Sequence, residues 1–107
     1  MAERTVIWTK TADIQLVGIL EYWVKRNKST TYSKKLIRLV AAQTKQIAKS
    51  PHLCRVTDFP EVRVAPMGHF SIYYKITDTS IIISAFWDNR QNPKKLLEIL
   101  EKNQKNP

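Results

Sequence analysis

Arg63, His69, Tyr73 and Arg90 are the residues of this chain whose types could carry a reaction. Metal-free cleavage of RNA needs a base near the 2′-hydroxyl, cations on the scissile phosphate and an acid for the leaving oxygen. Arg63 and Arg90 could supply the cations, and His69 and Tyr73 the proton transfers. Each also has a plainer reading. Arg63 could pair with Glu61 or Asp88 across a sheet. His69 stands beside a turn, where histidines are commonly just solvated. Tyr73 is a phenol, a group whose unperturbed pKa is about 10, and suits a half-buried strand better than acid catalysis. Asp88 and Arg90, flanking Asn89, could form a turn that locks a strand to the next element. Other chemistries find little support. One Cys and two His at no ligand spacing argue against a zinc or iron site, so no metal or other cofactor is expected. Gly18 and Gly68 are the only glycines, too few for a phosphate-cradling loop. Gly18 falls inside a helix, where close packing against a neighbour is expected. Cys54 reads as a small apolar side chain near the start of the sheet.

These residues need a sheet to hold them. Phe70, Ile72, Tyr74 and Ile76 alternate with His69, Ser71, Tyr73 and Lys75, which predicts a strand with one apolar face and one basic, phenolic face. Strands are predicted at about 61–66, 69–77 and 80–87, joined by turns at Pro66-Met67-Gly68 and Thr77-Asp78-Thr79, hence an antiparallel meander. Upstream, Arg4 to Trp8 reads as a short strand. Thr9 or Thr11 caps a helix running to about Lys25, with Ala12, Leu16, Ile19, Leu20 and Trp23 as its buried stripe. After a turn at Asn27-Lys28-Ser29, with Ser29 or Thr30 as cap, a second helix runs from about Thr31 to Lys49. It buries Tyr32, Leu36, Leu39, Val40 and Ile47 and gathers Lys34, Arg38, Lys45 and Lys49 on the opposite side. Ser50-Pro51 stops it. His52 to Pro60 reads as a loop. Pro93 opens a last helix with Leu96, Leu97 and Leu100 on one side, and Gln104 to Pro107 reads as a frayed tail. The order β-α-α-β-β-β-α predicts one α+β domain over 1–107, two layers deep, with a helical hairpin packed on the apolar face of an antiparallel sheet and the first strand at its edge.

The net charge is +9. From Lys25 to Ser50 there are Lys and Arg residues but no Asp or Glu, a field that favours an anionic partner. No run of apolar residues is long enough to span a membrane. The N-terminal order is not that of a signal peptide, and a lone cysteine suits a reducing compartment, so the cytoplasm is expected.

The arginine strand, then Gly-x-aromatic-x-Ile-x-Tyr, then the isoleucine-rich strand, then Arg90-Gln91-Asn92-Pro93 resembles the RelE/ParE superfamily of bacterial type II toxin–antitoxin toxins, on the ParE-like side. The resemblance covers nearly the whole chain and implies the fold just described. It also implies a growth inhibitor held in a hetero-oligomer by a cognate antitoxin. RelE-like members cut ribosome-bound mRNA with Arg and Lys on the sheet face and a Tyr or His near the C-terminus. Arg63 and Arg90 match that family's arginines, and Lys45 or Lys49 could match its helix lysine. After Trp87, however, this chain holds neither Tyr nor His. His69 and Tyr73 are the remaining stand-ins, on another strand. The ParE-like branch implies DNA gyrase as target instead, reached through Trp87 to Arg90 and the helix after Pro93. Target or nucleic-acid contacts are therefore expected at Lys34, Arg38, Lys45, Lys49, Lys75, Trp87 and Arg90. A third expectation is a non-toxic module that binds only antitoxin and DNA.

Overall fold

The computed structural model describes residues 3–105. Strand β1 (Thr5–Trp8) leads into helix α1 (Lys10–Asn27) and helix α2 (Thr31–Lys49). A single 3-10 turn (Pro51–Leu53) follows, then β2 (Arg55–Val56), β3 (Arg63–Met67), β4 (Phe70–Ile76), β5 (Ser80–Asp88) and helix α3 (Pro93–Lys105). The five strands form one sheet in the order β1-β5-β4-β3-β2. β3, β4 and β5 are the expected antiparallel meander. The sheet as a whole is mixed, because β1 joins its edge parallel to β5. A strand whose partner lies across a helical hairpin can enter in that direction, and sequence pattern alone does not set it.

Local chemistry explains the boundaries. The Thr9 hydroxyl accepts from the Ala12 N–H at 3.1 Å and caps α1, with Asp13 in the first turn favouring the helix dipole. Lys28 ends α1 in the left-handed region at φ 51°. At the start of α2 the Ser29 hydroxyl accepts from the Thr31 N–H at 3.2 Å, while Thr30 makes no side-chain cap. Pro51 is buried just past α2 and cannot continue it. Between β3 and β4, Gly68 takes φ 63°, which a residue with a Cβ adopts only under strain.

The hairpin of α1 and α2 covers one sheet face. Ala12, Leu36, Val40 and Ile47 pack there against Ala65, Phe70, Ile72, Tyr74, Ile81, Ile83 and Phe86. The change of parity from Ile83 to Phe86 marks a β-bulge: Tyr73 pairs with Ala85 but Tyr74 with Ile83, so Ser84 is the extra residue. The bulge turns Ala85 and Trp87 to the other face. There α3 lays Leu96 and Leu100 over Val62, Ala85 and Trp87, with Phe59 and Tyr73 at the margin.

Several expectations change. The loop expected over His52 to Pro60 contains the edge strand β2. Leu39, expected in the buried stripe of α2, is 47% exposed, while Ser33, Thr44 and Ala48 are buried. Helical spacing places Leu39 on the flank, and small residues complete the packed side. The helix α3 extends through Lys105, so Gln104 and Lys105 of the expected frayed tail are helical, and 106–107 lie outside the described residues.

Candidate functional site

The four residues considered for RNA cleavage do not converge. Arg63 pairs in register with Tyr74, on the hairpin side of the sheet. Its guanidinium donates to the carbonyls of Cys54 at 2.7 Å and His52 at 3.3 Å, neither of the carboxylates expected as its partners. Beside it the Tyr74 hydroxyl donates to the Pro51 carbonyl at 2.7 Å. Burial pushes the Tyr74 phenol above its ordinary pKa, with Cys54 reinforcing the shift. Arg63 and Tyr74 thus tie the segment after α2 to the sheet. Tyr73 lies on the opposite face at the margin of α3, and burial raises its pKa as well. His69 is exposed in the turn before β4, about 13 Å along the strand from Tyr73 at roughly 3.3 Å per residue.

Arg90 behaves differently. Its Nε donates to Asp88 Oδ1 at 2.9 Å and its Nη2 to Oδ2 at 2.8 Å, a bidentate pair. The backbone N–H of Arg90 donates to the same Oδ1 at 2.9 Å. Those bonds hold the Asp88 carboxyl below the usual carboxylate range, with the nearby His69 adding to the effect. The Ser71 hydroxyl holds the Asn89 side-chain oxygen at 2.9 Å. The expected structural turn after β5 is therefore real, and it aims Arg90 outward. The guanidinium carbon of Arg90 stands 5.7 Å from the centre of the Trp23 ring on α1, and that of Arg26 stands 5.9 Å from it. Tyr22 and Tyr32 meet Trp23 edge-on at 5.2 and 5.1 Å.

Between α1 and the end of β5, Tyr22, Trp23, Arg26 and Arg90 help to wall a groove of about 670 Å³. Ile14, Gly18 and Tyr22 form one wall, at successive positions of a single helical row. Gly18 is not there for close packing: a Cβ on it would meet nothing within 4 Å. Its missing side chain leaves a notch between Ile14 and Tyr22. The only signals of this site in the sequence were that spacing and the aromatic-basic pair of Trp23 and Arg26.

A family model for the ParE toxin of the type II toxin–antitoxin system, parDE, matches residues 6–93. This chain belongs to the ParE toxin family. Among solved structures, a chain of the chromosomal ParDE system from P. aeruginosa is similar in fold, with a TM-score of 0.69 at 19% identity, over 78% of this chain and 94% of that one. No curated protein sequence matches the chain. The family match stops where α3 begins.

The other expected contact residues of this ParE-family chain divide by exposure. Lys34, Arg38, Lys45 and Lys49 are all exposed on α2, and Asp88–Arg90 is the one ion pair among the described residues. Lys75 is half-buried on the α3 side of the sheet, in the row of Ile82 and Ile7. Trp87 is 6% exposed beneath α3 and supports that helix from below. No helix among the described residues is long and apolar enough to cross a membrane.

Proposed function

We propose that this ParE-family toxin inhibits growth by acting on DNA gyrase in the cytoplasm, and that a cognate antitoxin encoded beside it neutralises it by direct binding. The observation that carries the choice of target is the scattering of Arg63, His69, Tyr73 and Arg90. Arg63 and Tyr73 sit on opposite faces of the sheet, and Arg63 and Arg90 are each occupied by a structural bond. A phosphodiester cannot be reached by both arginines and a proton donor from those positions without rebuilding the sheet. The chain after Trp87 offers no Tyr or His to repair the set. An antitoxin partner fits the family and the wide apolar and basic surface of the hairpin.

The test is direct. Purified protein is added to gyrase and relaxed plasmid, and separately to a translating extract. The expected result is loss of supercoiling, restored by the product of the adjoining gene, with mRNA intact. Unaffected supercoiling together with ribosome-dependent mRNA cleavage that vanishes in Arg63→Ala would overturn it.

A further inference from the structure

The sheet edge that floors the groove is unfinished. β1 pairs with β5 only from Ser80 to Ile83, whereas β5 continues to Asp88. Past that point the chain covers the edge with single groups. The Thr9 N–H donates to the Ile83 carbonyl at 3.1 Å, and the Gln15 side chain accepts from the Phe86 N–H at 3.0 Å. The Asp88 carbonyl accepts from the Gln91 N–H at 3.0 Å. Because the Phe86 N–H faces the groove, so do the Phe86 carbonyl and, two residues on, the Asp88 N–H. These two groups have no strand beside them.

We propose that this groove seats an extended segment of a protein partner, added as a strand parallel to β5 in line with the end of β1, with an apolar side chain over Gly18 and a carboxylate on Arg26. The inference deepens the reading of an antitoxin-bound toxin and rests on it. A helix could not satisfy the edge, since its own backbone groups are used internally. Antiparallel addition would require both backbone groups of Phe86 or both of Asp88, and Gln15 and Gln91 each already hold one. Parallel addition needs only the Phe86 carbonyl and the Asp88 N–H, bridged by one partner residue. The charge follows from the groove's walls. Arg26 and Arg90 face the single carboxylate of Asp88, which Arg90 already binds on both oxygens. One positive charge is left over, on Arg26, for an acidic residue of the incoming segment.

The test measures affinity of the purified product of the adjoining gene for the wild-type chain, Gly18→Leu and Arg26→Glu, with folding checked by circular dichroism. Gly18→Leu fills the notch from a position where the added Cβ meets no atom within 4 Å. Backbone amide exchange of Asp88 is followed by NMR with and without that product. The inference expects each variant to bind at least about tenfold more weakly, and Asp88 exchange to slow at least about tenfold in the wild-type complex. Wild-type affinity in both variants would place the partner elsewhere and overturn the inference while the antitoxin reading stands. Weakened binding without protection of Asp88 would also overturn it, because the occupant would then not be a strand. If the product does not bind the wild-type chain at all, the antitoxin reading fails too.

Discussion

Arg63 and Arg90 show how the same residue type serves structure here where a nuclease would set it against phosphate. The Arg63 guanidinium crosses from β3 to two carbonyls of the segment after α2. Arg63→Ala is therefore expected to lower stability by about 1.5 kcal/mol, toward the lower end for a charged hydrogen bond because the side chain is only half-buried. Urea unfolding should show a lower midpoint at unchanged slope, and an unchanged midpoint would remove the tie from the account. Asp88 carries a pH dependence. Its folded pKa lies below its unfolded value of roughly 3.9, chiefly through the bonds from Arg90. The stability this contributes is complete above about pH 5 and is lost progressively as pH falls through the unfolded and then the depressed folded value. An NMR titration of the Asp88 carboxyl should have its midpoint under that of a model aspartate, and Asp88→Asn should flatten the acid limb of the stability curve. A carboxyl titrating like a free aspartate would show that the clamp does not form in solution.

At the level of elements, periodicity made the helices and the meander legible, and long-range placement stayed hidden. Leu16, Leu20, Leu36 and Val40 announce two amphipathic helices, and the alternation from Phe70 to Ile76 announces a strand, because burial on one side repeats at each element's own period. The same alternation misled on the second face. Tyr73 and Lys75 predicted a basic, phenolic face, but the bulge at Ser84 turns Ala85 and Trp87 toward it, and α3 closes over them. A bulge adds one residue without a change of composition, so no count of apolar residues reveals it. Nor did the two-residue strand β2 give enough pattern to stand out from a loop. The closure by α3 is energetic. Leu100, on its packed side, is 3% exposed, and Leu100→Ala is expected to destabilise the protein by about 2–5 kcal/mol. Calorimetry that finds no fall in melting temperature would mean α3 is only loosely laid on the sheet. Deleting the chain from Asn89 onward would bare Trp87 and Ala85, so toxicity lost in such a deletion must be separated from aggregation by measuring the fold first. On α2 the test is charge. Lys45→Glu with Lys49→Glu leaves the packed side untouched, since both are exposed, and should weaken an anionic contact by a factor that shrinks as salt rises. Equal binding at low salt would make the stripe a solvated face.

The whole molecule is a small, strongly basic body with unequal faces. The net charge is +9, and the hairpin adds exposed Ile14, Val17, Ile37 and Leu39 to its lysines. Such a surface suits a partner that brings acidic and apolar residues together along an extended path. The two kinds of residue would act on different steps. Charge acts at long range and raises the rate of encounter, whereas apolar burial and strand bonds act only once the surfaces touch and set the rate of escape. Mixing the chain with the product of the adjoining gene in a stopped-flow instrument, with Trp23 fluorescence as reporter, separates the two. Trp23 lies in the groove wall beside Arg26 and Arg90, so its emission should respond to an occupant. Raising salt from roughly 0.05 to 0.5 M is expected to slow association about tenfold or more and to leave dissociation nearly unchanged. Gly18→Leu is expected to do the reverse, speeding dissociation while association keeps its salt dependence. Salt that mainly speeds dissociation would instead mean that buried charge pairs, rather than the apolar notch and the strand edge, hold the complex together.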